Sequence, residues 1–436
     1  MDKRAWVLSV DMGYGHQRAA YPLKDIAEEK ILTANVDYVS NTKERLLWRA
    51  SQSGYEAVSR AKNIPLIGES IFNLYDKLQS ISPFYPFNLL EKPNGNVYFL
   101  KTLINMGLCK ELLEHVKEKD IPIITTHFIP SLAADYNGFE NVFSIITDTD
   151  INRVWVSDDP KKSKIKFLTP TRHASIRLLK YGVESCNIFI TGFPLPKENI
   201  GENQEILKTD LLKRIRILDP KERFIGIYKD VIRKYLGELP SKVSRPLTLC
   251  YMVGGAGAQK DIGIKVVKSL KEKIEEGKIK LILVAGIRED VKNYFEVELE
   301  KLSLNKNENL KIIYESSKML YFESFNRELR DVDIIWTKPS EMSFYTALGL
   351  PIIIAPPVGA HEFFNQRWLT HIGSGFAQDE PEYVNDWLFY VLDSGRYAEA
   401  AWDGYMRAPT MGTYRIEKII KEGIIDICKG DFTDLR

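Results

Sequence analysis

No surplus of charge of either sign marks this 436-residue chain, in which 60 Lys and Arg stand against 59 Asp and Glu for a net charge of +1. Nucleic-acid binders ordinarily carry a basic excess, so the balance argues against that class. Cysteine is scarce too. The four present, Cys109, Cys186, Cys250 and Cys428, are far apart and form no Cys-x-x-Cys pair. That spacing removes a disulfide framework or zinc ribbon and predicts buried free thiols in a reducing compartment. Apolar runs of the roughly 18–20 residues that cross a bilayer are missing. Room for a signal peptide is missing as well, because the strand-like Trp6-Val7-Leu8-Ser9-Val10 begins almost at once. The expectation is a cytoplasmic protein, peripheral at a membrane surface if it meets one.

What is present is a globular composition, 44% hydrophobic and 27% charged, in a chain long enough for two domains of about 200 residues each. Short β-branched runs alternate with helical patterns, the signature of parallel sheets built from βαβ units. The first half offers strands at 5–10, 36–39, 121–125, 142–146, 166–168 and 188–191. The second offers 247–252, 280–284, 310–314, 332–336 and 351–355, with helices such as 259–275 and 344–348. This is an α/β chain of two Rossmann-like halves. Residues 1–196 form the first, 197–245 read as a helical connector ending in Pro240 and Pro246, 246–380 form the second, and 381–436 read as C-terminal helices.

Each half opens with a strand running into a glycine loop and a helix start. The first is Gly13-Tyr14-Gly15-His16 and the second Gly254-Gly255-Ala256-Gly257. Such turns let backbone approach an anion, and the helix start offers unpaired N–H groups and a positive dipole end. The first loop lacks the third glycine of a dinucleotide fingerprint, and no Gly-Lys-Ser/Thr follows it. His16 at its mouth is of a type that takes a proton from a hydroxyl near neutral pH. A third element, Lys338-Pro339-Ser340-Glu341-Met342-Ser343, follows the strand 332–336, and Glu362 and Asn365 come after the next strand. Carboxylates at strand ends can grip sugar or ribose hydroxyls, while Ser hydroxyls and N–H groups hold phosphate, and open α/β sheets bind ligands at that edge.

In chain order these segments resemble the two-Rossmann-domain (GT-B) glycosyltransferases, most closely the monogalactosyldiacylglycerol synthase and processive diacylglycerol glucosyltransferase group. Gly13 to His16 with Ala19-Ala20 is similar to the family's first glycine-histidine loop. The stretches 55–58 and 73–76 are similar to its aromatic helical region on the acceptor side. Thr147-Asp148 with Trp155 resembles its Thr-Asp…His-Trp segment, with Asn152-Arg153 where the intervening His is expected. Gly192-Phe193-Pro194 resembles the close of its first domain. Gly254 to Gly257 resembles its phosphate loop, and Thr337-Lys338, Gly349-Leu350-Pro351 and Glu362…Asn365 its donor-binding stretch. One departure stands out: Thr346 occupies the place of the family's ribose-binding Glu, leaving Glu341 as the candidate substitute.

The resemblance implies two domains facing each other across a cleft and an inverting hexose transfer from a UDP-sugar to a lipid or other hydroxyl acceptor. The nucleotide sugar is a substrate, and neither a cofactor nor a metal is implied. His16 is then the base, with Asp148 as alternative base or orienting partner, and Tyr14 and Trp155 lie on the acceptor side. The donor set is Gly13, Gly15, Gly254, Gly255, Ala256, Gly257, Lys338, Ser340, Glu341, Met342, Ser343, Glu362 and Asn365. Thr147-Asp148-Thr149-Asp150 contains an Asp-x-Asp string, but at a strand end of the acceptor half, where the resemblance places no metal. Aromatics between 66 and 108, among them Phe72, Tyr75, Phe84, Tyr85, Phe87, Tyr98 and Phe99, either pack inside the first domain or meet a membrane surface. A UDP-sugar 2-epimerase of the same fold, or a catalytically silent nucleotide-sugar binder, are the alternative readings.

Overall fold

A computed structural model describes residues 4–49, 51, 81–255 and 257–423. The chain divides into two units. The first comprises 1–194, 359–364 and 411–436, and the second 195–358 and 365–410.

The first unit is built on a six-stranded parallel sheet in the order β2-β1-β3-β4-β5-β6. Its strands are β1 (Trp6–Ser9), β2 (Leu32–Thr33), β3 (Ile123–Thr125), β4 (Val142–Ile145), β5 (Lys166–Thr169) and β6 (Ile188–Ile190). They read as near-continuous apolar runs because both faces are covered. Trp6, Leu8 and Ile123 face one layer, and Val7, Ile124 and Phe143 the other. That second layer is closed by Ile416, Ile419 and Ile420 from the helix Gly412–Glu422, so the last described helix returns to the first sheet. The expected strand at 36–39 is a turn, and the pairing role falls to β2 just before it. Val36 and Tyr38 are solvent-exposed and Tyr38 has φ +57°, which an extended strand does not tolerate.

The second unit repeats the plan in the order β12-β11-β10-β7-β8-β9, again all parallel. Its strands are β7 (Leu247–Met252), β8 (Ile279–Gly286), β9 (Leu310–Tyr314), β10 (Ile334–Thr337), β11 (Ile352–Ile354) and β12 (Gly375–Ala377). The short strand β12 was not foreseen. The segment expected as a connector supplies the helices Glu205–Leu218 and Ile225–Leu236, and Leu211, Ile215, Phe224 and Ile232 are buried in the second core. The turn 341–348, expected as an α-helix from 344, is a 3-10 helix. Of the three cysteines among the described residues, Cys109 and Cys250 are buried as expected, whereas Cys186 is exposed. No helix among the described residues is long and apolar enough to cross a membrane.

Candidate functional site

In an open parallel sheet the crevice for a ligand forms where the strand order reverses, because the helices on either side of that point leave the carboxyl edge in opposite directions. In the first sheet the reversal lies between β1 and β3, and in the second between β7 and β10. Both glycine loops start at these points.

At the first edge, the chain leaves β1 through Asp11, whose N–H donates to Asn35 Oδ1 at 2.8 Å while Asn35 Nδ2 returns a bond to the Asp11 carbonyl at 3.2 Å. The turn after β2 thus braces the glycine loop. Gly13 takes φ +82° with open space where a Cβ would stand, and Tyr14 is buried. Gly15 opens the short helix Gly15–Ala20. This brings half-buried His16 to the end of β3, with Nδ1 2.6 Å from the Thr126 carbonyl. A carbonyl can only accept, so Nδ1 carries the proton and the neutral ring keeps its lone pair on Nε2. Thr147 Oγ1, just beyond β4, lies 3.5 Å from the same Nδ1. Asp148 follows it, half-buried.

A second histidine, His127, has no local motif to mark it in the sequence. His127 stands edge-on to His16 with ring centroids 4.6 Å apart. It caps the helix Phe128–Tyr136, its Nδ1 accepting the Ile129 N–H at 3.1 Å, so its own proton sits on Nε2. Full burial, and then the neighbouring His16, push it well below the ordinary histidine range. It stays neutral and acts as an aromatic support. Buried Trp155 completes the wall, its ring 5.5 Å from that of Phe128. Arg153, in the slot where the resemblance expects a histidine, donates to the carbonyls of Val156, Ser157 and Glu91. It organises this loop.

The Asp-x-Asp string resolves differently for its two acids. Asp150 is fully buried and bound by both prongs of Arg177 at 2.8 Å and by His173 Nε2 at 2.8 Å. Burial would raise its carboxyl, but those hydrogen bonds outweigh burial and hold it below the usual range. Its oxygens are committed to these partners. His173 in turn stacks on Phe84 at 3.9 Å. Tyr85, Phe87, Leu89, Tyr98 and Phe99 are more than half exposed, and Lys180 lies over Phe87. Lys101 is engaged with Asp158. Phe72, Tyr75 and the stretches 55–58 and 73–76 lie outside the described residues.

At the second edge, β7 runs into Gly254 and Gly255; Ala256 lies outside the described residues. Gly257 has φ +73° and Gln259 φ +65°, just before the helix Lys260–Glu275. Tyr251 Oη fastens the loop's far end by donating to the Gln259 carbonyl at 2.6 Å, and Gln259 Nε2 reaches the Pro356 carbonyl beyond β11 at 2.9 Å. Lys338, half-buried at the end of β10, crosses the loop so closely that a Cβ on Gly254 would stand 2.7 Å from its Cε. Arg288, after β8, lies on the other flank, its guanidinium 3.3 Å from where a Gly257 Cβ would be. Arg288 was not singled out in the sequence, where it is one arginine among many.

Ser340 and Glu341 are half-buried at the mouth of the next turn. Met342 and Ser343 are buried, and the Ser343 hydroxyl makes no hydrogen bond among the described residues. Glu362, which could have been an exposed loop charge, is buried, as is Asn365, whose Nδ2 donates to the Pro339 carbonyl at 3.2 Å. Thr346 is internal: it hydrogen-bonds Ser374, and a Cβ on Gly404 would stand 2.4 Å from its carbonyl. No room is left there for a ribose-gripping carboxylate.

The sequence is similar to two curated proteins, both processive diacylglycerol β-glucosyltransferases. The one from Bacillus licheniformis is 23% identical over 334 residues, covering 73% of each chain. The one from Bacillus pumilus is 23% identical over 420 residues, covering 92% of this chain and 89% of that one. The structure superposes on MurG from Acinetobacter baumannii with a TM-score of 0.50 at 12% identity, covering 96% of this chain and 99% of that one. This is the GT-B fold, in a chain that resembles the processive diacylglycerol glucosyltransferases. A family described as a domain of unknown function (DUF6938) matches residues 240–321, from just before β7 into the helix Lys318–Leu329. That stretch of the GT-B chain contains the second glycine loop and Arg288.

Proposed function

We propose that this GT-B protein is an inverting hexosyltransferase that moves a sugar from UDP to a lipid or other hydroxyl acceptor without a metal. The observation that carries the reading is the 2.6 Å approach of His16 Nδ1 to the Thr126 carbonyl, which in the neutral ring puts the proton on Nδ1 and makes Nε2 the basic nitrogen a transferase needs. Nε2 takes the acceptor's hydroxyl proton as that oxygen bonds to the anomeric carbon, and the bond from that carbon to the diphosphate breaks on the opposite face. UDP leaves with the bonding pair. The leaving charge is met by the Lys338 ammonium, close against Gly254, and by the N–H groups of Gly254 and Gly255, since that of Gly257 is given to the Gly254 carbonyl at 2.8 Å; fixed donors of this kind commonly supply the largest catalytic term. Glu341 takes the ribose hydroxyls in place of the absent carboxylate at 346. Asp148 orients the acceptor or serves as the alternative base. The exposed side chains of Tyr85, Phe87 and Leu89 form an apolar surface for docking at a lipid interface.

The test compares wild type with His16→Ala, measuring UDP binding by calorimetry and sugar transfer to diacylglycerol in vesicles. UDP affinity is expected to be nearly unchanged and turnover to fall by about 10²-fold or more. Turnover equal to wild type in the variant would remove His16 from the chemistry, and wild type that binds no nucleotide would remove the donor reading altogether.

A further inference from the structure

Arg288 brings a second cation, besides Lys338, against the second glycine loop. It follows β8, the neighbour of β7 on the side away from β10. Lys338 and Arg288 therefore reach the second glycine loop from opposite sides, Lys338 against Gly254 and Arg288 against Gly257. Arg288 Nη1 also lies 3.5 Å from the Gly255 carbonyl. Any side chain at 257 would crowd the guanidinium at 3.3 Å, so the glycine admits both the φ +73° turn and the arginine's close approach. The remaining prongs of the fork are held by Asp290, Nε at 2.9 Å and Nη2 at 3.1 Å.

That pair is an open one, with 38% of the arginine and 56% of the aspartate side chain exposed. Solvent screens an exposed ion pair, so an anion of higher charge can compete with Asp290 for the fork although that pair makes two parallel hydrogen bonds. Guanidinium matches phosphate oxygens bidentately, whereas an ammonium meets them as a point charge. Two linked phosphates would use both.

We infer that Arg288 is a diphosphate-binding residue of the donor site, held by Asp290 until the diphosphate takes its place, so that this loop selects nucleoside diphosphates over monophosphates. The inference rests on the reading of this edge as the donor site. Arg288 and Asp290 act as a two-position device: Asp290 holds the guanidinium ready and competes with the ligand for it.

Calorimetry with UDP, UMP and uridine on wild type, Arg288→Gln and Asp290→Asn, with a chelator present, tests this. Arg288→Gln is expected to weaken UDP by about tenfold or more, as befits loss of a charge-assisted pair, while uridine binding and the melting temperature stay at the wild-type value. Asp290→Asn is expected to tighten UDP by roughly twofold or more, since it removes a weak competitor. UDP affinity unchanged by Arg288→Gln, or an equal loss for uridine, overturns the inference. Should Arg288→Gln fail to fold, UDP binding in Asp290→Asn no tighter than in wild type has the same force. Should wild type show no preference for uridine nucleotides, the donor reading fails by itself. Inorganic diphosphate then tests Arg288: protection of wild type against heat that disappears in Arg288→Gln upholds the residue's role, and equal protection of both refutes it.

Discussion

At the residue scale, two histidines of one edge differ in which nitrogen carries the proton, and the difference is set by backbone. His16 gives Nδ1–H to a carbonyl, while His127 receives an N–H at Nδ1. The glycine-histidine loop made His16 legible in the sequence. His127 was not, because the contact between the two residues joins positions more than a hundred apart, as the 110-residue separation of His16 and Thr126 shows. Asp150 teaches the same lesson: in the sequence it is one acid of an Asp-x-Asp string to which the family resemblance assigns no metal, and only folding brings it to Arg177 and His173. Its carboxyl is held low in the folded protein. Its contribution is therefore complete above the unfolded-state value of about 3.9, and it is lost as pH falls from there through the folded value. Asp150→Asn should cost about 3–5 kcal/mol at neutral pH, because Arg177 stays buried without its counter-charge. It should also flatten the acid limb of a stability–pH profile followed by urea unfolding. A wild-type midpoint at pH 7 would show that the buried pair contributes nothing net.

At the scale of elements, the strands were largely readable because parallel strands covered on both faces are apolar throughout. The exceptions have physical causes. β2 has only two residues, Leu32 and Thr33, too few for a period to show, so the apolar residues of the exposed turn at 36–39 drew the assignment. β12 is a Gly-Phe-Ala edge strand in which Gly375 and Phe376 are half-buried and Ala377 is exposed. The 341–348 turn also misled, since Glu341 to Leu348 has a helix-like composition but is wound as a 3-10 segment against the helix Arg396–Arg407. Gly404 marks that contact, standing against the Thr346 carbonyl. Thr346→Glu, which would place a carboxylate at the position the family resemblance suggests, is thus expected to lower stability by about 1–3 kcal/mol through overpacking and to leave UDP affinity no higher. Thermal melts and calorimetry on that variant decide the matter: a stable protein with tighter UDP would mean that the turn can open and that Glu341 is not the substitute.

At the scale of the whole molecule, the chain does not spend its two halves in simple succession. After the second sheet is complete, Met411–Arg436 is assigned to the first unit. There Ile416, Ile419 and Ile420 are 0–3% exposed against Val7, Ile124 and Phe143. Each buried isoleucine is worth about 1.5–3 kcal/mol, so ending the chain after Thr410 should cost the first unit several kcal/mol. Hydrogen exchange would show faster exchange through β1, β3 and β4 and unchanged protection in β7 and β8; equal protection of the first sheet with and without the helix would show that the helix is dispensable. By itself the sequence determined the alternation of strand and helix, the two glycine loops that open the halves, and the absence of a membrane-crossing helix among the described residues. Each of these depends on local pattern, on which residue follows which. Only the tertiary structure decided which nitrogen of His16 holds its proton, that Asp150 is bound by Arg177, that Thr346 points inward, and that Arg288 flanks the second loop. Those depend on through-space contacts between strand ends, and a strand order that reverses brings together residues the chain keeps far apart.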